Sequence, residues 1–347
     1  MIDLRSDTAT RPTPGMRAAI AQAEVGDEQK REDPSVNALQ ERAAALLGQE
    51  SALFLPTATM ANQIALKLHS RPGDVLVAER FAHIVVYEYG GAAAHAGLMI
   101  EAIAARHGRI TVEQLEAVTV SSTKSADQRP AVLALENTHN ASGGRCWPLA
   151  EVAAVTAAAR ARGLRTHLDG ARLLNAAVAQ GLEAAQLGEH FDTVTLCLSK
   201  GLGCPFGAIL AGPGETIERA WREKHLFGGA LRQAGIAAAA GLYAFDHNVG
   251  RLADDHARAR RLAEGWHTAG LPVDLAQVET NFVQLDVGAL GLGRDEALAR
   301  LRDAGVGLSS TIHPTIVRAV THLDVLDAEI DRAIELAPRA LETRAAA

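Results

Sequence analysis

Thr166-His167-Leu168-Asp169-Gly170-Ala171-Arg172 and Leu198-Ser199-Lys200-Gly201-Leu202-Gly203 decide the reading of the fold. In each, a short run ends at a charged residue followed by glycine, the pattern of a buried strand leaving the sheet at its carboxyl end. Runs of the same kind fall at residues 52–55, 75–78, 131–135, 166–168, 194–198 and 208–211. Amphipathic helices lie between them. One opens at Asp33-Pro34, a capping residue followed by proline at the first helical position, and carries Val36, Leu39, Ala43 and Leu46 at helical spacing. Another runs from Pro148 through Val152 and Val155 and stops at Gly163. This alternation predicts an α/β large domain built on a mostly parallel sheet.

Beyond about Asp246 the texture changes to a long charged helix (251–268), strands at 282–287, 306–309 and 316–320, a helix at 294–304 and a last helix from about Asp327. The predicted division is a large domain over 1–245 and a smaller α+β domain over 246–347. The first 15 or so residues are free to pack with the small domain.

Composition narrows the function classes. The 347 residues are 48% hydrophobic and 22% charged, an ordinary globular balance. A net charge of −7 with no basic run argues against nucleic acid as a partner. Cys146, Cys197 and Cys204 form no CxxC pair, and no apolar run is long enough to span a bilayer. With no basic-then-apolar leader at Met1-Ile2-Asp3-Leu4, the expectation is a cytoplasmic protein that meets neither membrane nor nucleic acid. Thirteen histidines include no HExxH and no tight His/Cys cluster, so no metal is expected. A GxxxxGK(S/T) loop and a GxSxG elbow are absent, and Gly201, Gly203 and Gly207 miss the GxGxxG spacing.

In an open parallel sheet, ligands bind beyond the carboxyl ends of the strands. Three clusters fall there. Lys200 follows a strand and is trailed by glycines that leave room for a flat ring; partial desolvation would make its amine nucleophilic toward an aldehyde. Asp169 ends a neighbouring strand, where a carboxylate can pair with a pyridinium nitrogen. Thr57-Ala58-Thr59 opens a helix whose free amides suit a phosphate. Taken singly, Asp169 reads as a helix cap, Lys200 as a solvated surface residue, and Thr57 and Thr59 as capping residues. Together they are the three attachments that pyridoxal 5'-phosphate requires.

The chain resembles the L-threonine aldolases of the aspartate-aminotransferase-like fold over nearly its whole length. The resemblance rests on eight stretches in order. They are Asp3-Leu4-Arg5-Ser6-Asp7-Thr8-Ala9-Thr10-Arg11-Pro12, Glu32-Asp33-Pro34-Ser35-Val36-Asn37-Ala38-Leu39, Phe54-Leu55-Pro56-Thr57-Ala58-Thr59-Met60-Ala61-Asn62, and Glu136-Asn137-Thr138-His139-Asn140 with Gly143-Gly144. The Asp169 and Lys200 stretches follow, then Gly228-Gly229-Ala230-Leu231-Arg232-Gln233 and Arg318-Ala319-Val320-Thr321-His322-Leu323-Asp324.

The resemblance implies a carbon–carbon lyase cleaving L-threonine, L-allo-threonine or related β-hydroxy-α-amino acids to glycine and an aldehyde. It implies that Lys200 carries the cofactor as a Schiff base, that Asp169 pairs with its ring nitrogen, and that His83 stacks on its ring. Thr57, Ala58 and Thr59 would hold phosphate, and Ser6, Arg172 and Arg318 the substrate carboxylate. His139 would lie near the β-hydroxyl, with His139 or His83 as base. It further implies a homotetramer, a dimer of dimers with active sites at the dimer interface, where Lys224 or His225 would reach the neighbour's phosphate. Departures from the family pattern are Ala58 in place of glycine, His225 in place of a lysine, and Gln29-Lys30-Arg31 in place of an aromatic residue. The alternatives are a β-eliminating lyase, an aminotransferase, and a non-catalytic protein retaining the fold.

Overall fold

The computed structural model describes residues 1–118 and 129–342. Its strands are β1 (Ile2–Asp3), β2 (Ser51–Leu55), β3 (Val75–Glu79), β4 (Met99–Ile103), β5 (Pro130–Glu136), β6 (Arg165–Gly170), β7 (Thr193–Cys197) and β8 (Ala208–Gly212), followed by β9 (Phe282–Asp286), β10 (Val306–Gly307), β11 (Ser309–Ser310) and β12 (Ile316–Val320). β2 to β8 form one sheet in the order β2-β8-β7-β6-β5-β3-β4. All its pairings are parallel except the two made by β8. The mostly parallel sheet matches the expectation; the reversed strand β8 between β2 and β7 is an addition to it. Because β8 reverses twice, β2 and β7 still point the same way.

The strands form because apolar and β-branched residues are buried on both faces, as a sheet covered by helices requires. β7 and β8 are buried at every position. β4 was not foreseen from the sequence. Its residues Met99 to Ala102 are exposed, so it lacks the apolar run that marks the central strands.

The helix Pro34–Leu47 starts as expected: Asp33 Oδ1 accepts the Val36 amide at 3.1 Å, and Gly48 ends the helix in the left-handed conformation. Its Val36, Leu39, Ala43 and Leu47 pack with Phe54, Leu133 and Leu196 in the main core.

A second apolar cluster gathers Leu262, Trp266, Val283, Leu285, Val317 and Ile330, together with Ile2 and Leu4. Here β11, β12 and β9 make an antiparallel sheet, and β1 pairs with β10. The N-terminal segment therefore crosses from the second cluster toward the large sheet, since Thr10 Oγ1 donates to the Lys200 carbonyl at 2.8 Å. The helix Leu252–Thr268 joins the two cores: Leu252 belongs to the first, Ala259 and Leu262 to the second.

Candidate active site

Asp169 is next to last in β6 and stands opposite Thr195 of β7. β7 ends at Cys197, and Lys200 follows three residues later. Adjacent parallel strands thus deliver a buried carboxylate and a half-buried lysine to one sheet edge. β2 ends at Leu55 on the same edge, and Thr57 caps the helix Ala58–His69 by accepting the Met60 amide at 3.2 Å. The Ala58 and Thr59 amides make no hydrogen bond among the described residues, the usual state of a helix's first turn. They offer donors at the positive end of the helix. His83 opens a short helix after β3, and Asn140 lies beyond β5.

These ends surround a cavity of about 230 Å³. His83, Tyr87, Asn140, Arg172 and Lys200 line it from the edge of the large sheet, and Ser6, Thr8, Ser310 and Arg318 complete the lining. A larger groove of about 610 Å³ beside Pro34 and Tyr243 is an open surface feature with no Lys or Arg in its lining. The smaller cavity is where Arg172, Lys200 and Arg318 converge.

Beneath it, Asp169 Oδ1 accepts the Ala171 amide at 3.1 Å and Oδ2 accepts Asn62 Nδ2 at 2.9 Å. Asn62 Nδ2 also donates to Glu88 Oε1 at 2.9 Å, and Gln63 Nε2 donates to Glu88 Oε2 at 2.5 Å. His83 Nδ1 lies 2.9 Å from Glu88 Oε1, and the His83 amide donates to Glu136 Oε2 at 2.6 Å. Burial opposes the charged form of His83, but the bond to Glu88 and the charges of Asp169, Glu88 and Glu136 outweigh it and raise its pKa. On the far side, His167 Nε2 lies 3.1 Å from Asn62 Oδ1, and burial pushes His167 down to about 3, so it is neutral. His83, Glu88 and Asp169 also bring three potential metal-ligand atoms within 4.8 Å, but amide hydrogens of Asn62 already occupy both carboxylates.

Arg172 Nε and Nη2 donate to Asp7 Oδ2 and Oδ1 at 2.6 and 2.7 Å. Arg318 Nη1 donates to Asn140 Oδ1 at 2.8 Å. Both guanidiniums sit over the Phe282 ring, at 4.9 and 5.1 Å from its centroid. Burial and the neighbouring Arg172 push Arg318 down to about 10, still a cation at neutral pH.

Three of the expected site residues already have partners within the chain. Arg172 reaches the cavity with its Nε/Nη2 edge paired to Asp7, while its Nη1 makes no hydrogen bond among the described residues. His139 does not line the cavity; it is buried between Glu79 Oε2, 3.0 Å from its Nε2, and Ser142 Oγ, 2.8 Å from its Nδ1. Lys224 is enclosed, donating to Glu28 and to the Phe54 carbonyl at 2.7 Å, so its charge is spent within its own chain. His225, one residue on, is exposed. Ser6 reaches the cavity while its Oγ accepts from Thr8 Oγ1 at 2.8 Å.

Sequence reasoning assigned no role to Asp7, Asn62, Glu88 or Asn140. Asp7, Asn62 and Asn140 stood inside quoted stretches, but their partners are distant in sequence. Glu88 stood in none, and nothing local distinguishes it from a surface glutamate.

A half-buried amine, a hydrogen-bonded buried carboxylate and free helix-start donors, all at one sheet edge, fit pyridoxal phosphate. The comparisons agree. The beta-eliminating lyase family model matches residues 3–289. The low specificity L-threonine aldolase of Escherichia coli (strain K12) is 41% identical over 326 residues, covering 94% of this chain and 95% of that one. The low-specificity L-threonine aldolase 1 of Arabidopsis thaliana is 37% identical over 335 residues, covering 93% of each. Among solved structures, Leishmania major threonine aldolase superposes with a TM-score of 0.85 at 19% identity, covering 99% of this chain and 100% of that one.

Proposed function

On the premise that this chain belongs to the beta-eliminating lyase family, with the L-threonine aldolases as its relatives, we propose that its sheet-edge cavity cleaves L-threonine, L-allo-threonine and related β-hydroxy-α-amino acids to glycine and an aldehyde. The protein is a pyridoxal-phosphate-dependent aldehyde-lyase. The observation that carries the reading is the juxtaposition of Lys200 and Asp169 at the ends of neighbouring strands, beside a cavity lined by Lys200 and two arginines.

In this reading Lys200 anchors the cofactor, Asp169 faces its ring nitrogen, and His83 lies against its ring. Thr57 sets the helix start, from which the Ala58 and Thr59 amides and the Thr59 hydroxyl hold its phosphate. When bound, pyridoxal phosphate supplies the electron sink for the pair released as Cα–Cβ breaks. Two hydrogen bonds fix the Asp169 carboxyl group in place, and a carboxylate there favours a protonated ring nitrogen opposite it. Arg318 and Ser6 hold the substrate carboxylate, and Arg172 adds charge from behind. Held there, the substrate has one orientation, and that restriction is itself part of the rate enhancement. His83, not His139, takes the β-hydroxyl proton, because of the two only His83 lines the cavity, and its neighbouring carboxylates raise its basicity. Phenylserine tests the reading: benzaldehyde and glycine in equal amounts support it, and benzaldehyde-free turnover refutes it.

The proposal extends to a two-domain division near residue 245 and to a cytoplasmic homo-oligomer, a dimer of dimers. An apolar cluster drawn from residues 259–341, with Ile2 and Leu4, supports the first. The exposed His225, at the end of the helix Gly214–Leu226 and beside Gly228-Gly229, supports a cationic contact with a neighbour's site.

A further inference from the structure

Glu88 is a buried carboxylate with no lysine or arginine partner among the described residues. Its hydrogen bonds come from Asn62, Gln63 and His83 Nδ1. A buried anion is costly unless it is well hydrogen-bonded, and two of these three donors are neutral amides. The imidazole is therefore its only titratable partner.

The donors fix one another. An ionised carboxylate only accepts, so Asn62 must turn its amide nitrogen toward both Glu88 and Asp169. Its Oδ1 is then left for His167, whose neutral ring carries the proton on Nε2. By the same rule His83 must donate from Nδ1 to Glu88. In the neutral ring that leaves Nε2 as the lone-pair nitrogen, on a side chain that lines the cavity.

We propose that Glu88 is a positioning residue: it locks His83 in the Nδ1–H tautomer, leaves Nε2 to accept the substrate's β-hydroxyl proton, and stabilises the imidazolium that results. This rests on the aldolase reading above. The step balances: the proton moves from the β-oxygen to Nε2, and the O–H electron pair becomes the second bond of the aldehyde carbonyl. The Cα–Cβ pair leaves toward the bound cofactor. Glu88 itself makes and breaks no covalent bond.

Other groups act on His83. Asp169 and Glu136 add negative charge, Tyr87 packs its ring at 5.5 Å, and Lys200, Arg172 and Arg318 bring positive charge around the cavity. Glu88 is the one that touches the ring nitrogen.

The test is nitrogen NMR of the holoenzyme carrying labelled histidine, with His83 assigned through His83→Asn, run beside the pH dependence of kcat/KM. Wild type should show Nδ1 protonated at all pH values and Nε2 titrating above the ordinary imidazole value. In Glu88→Gln the ring pKa should fall by about one unit or more. The acid limb of kcat/KM should fall with it, because the base form then survives to lower pH. Gln63→Leu removes a competing donor from Glu88 and should move both upward. Nε2–H as the wild-type tautomer, or an unmoved ring pKa in these variants, would overturn the proposal. If Glu88→Gln does not fold, the direction of the Gln63→Leu shift decides alone. Failure of the wild type to make glycine and aldehyde would instead sink the aldolase reading, a result independent of the ring's tautomer.

Discussion

The carboxylate of Asp7 holds the guanidinium of Arg172 through two hydrogen bonds of 2.6 and 2.7 Å, and both side chains are buried. The pair ties the N-terminal segment to the turn that follows β6. Removing one partner of a buried pair leaves an uncompensated charge, so Asp7→Ala should cost about 3 kcal/mol or more of stability. It should also raise KM, because Arg172 loses its fixed position beside the substrate. Denaturant unfolding and threonine kinetics check both effects.

The same pair sets a pH dependence. Burial opposes ionisation of Asp7, but Arg172 beside it holds its carboxyl well below the usual carboxylate range. A depressed acid contributes stability that is complete above its unfolded value and is lost as pH falls through the folded one. Stability from this pair should therefore persist through pH 4 and fade only in stronger acid. Asp7→Asn should flatten that part of the curve.

His167 predicts a loss at milder pH. Burial holds it at about 3, below an unfolded value near 6.5. As pH drops below about 6.5, the unfolded chain gains a proton that the folded chain refuses, so stability falls, by roughly 1.4 kcal/mol per pH unit. His167→Gln should reduce the slope by that amount between about pH 6 and pH 4, while His69 and His256, which burial holds at about 4, keep theirs; the denaturant midpoint across that window measures it.

Asp169→Ala should preserve the fold and lower turnover on the order of 10²-fold, if its charge acts mainly in the transition state. Near-normal turnover with cofactor bound would mean that Asp169 only caps the turn through the Ala171 amide.

Lys224→Ala should destabilise the protein, because Glu28 would be left buried without its cation. Cofactor retention should be the lesser effect. In His225→Ala the order should reverse, with stability kept and cofactor loss becoming concentration-dependent if a neighbour's site uses this side chain. Thermal melts and cofactor retention against protein concentration separate the two.

The central strands and the positions of Asp169 and Lys200 were legible because buried parallel strands are apolar throughout and end abruptly in polar residues and glycine. β4 was not, since its exposed residues carry no such contrast. The reversal of β8 was invisible because an antiparallel strand buried on both faces has the same composition as its parallel neighbours. At the site, the sequence revealed residue types at strand ends but not which charge neutralises which. Arg172 and Lys224 read as free cations until their carboxylates, Asp7 and Glu28, were found 165 and 196 residues away. His139 read as a base for the same reason, its neighbour Glu79 lying 60 residues earlier at the end of β3.

The central claim is that carbon–carbon cleavage occurs at Lys200, and products from L-threonine test it most directly. The holoenzyme and its Lys200→Ala variant are incubated with L-threonine, and glycine, acetaldehyde, 2-oxobutyrate and ammonia are quantified. The account predicts glycine and acetaldehyde in equal amounts from wild type. It predicts neither from Lys200→Ala, which should also lose the visible absorption of the lysine-bound cofactor. Production of 2-oxobutyrate and ammonia without glycine, or undiminished glycine from the variant, would contradict it.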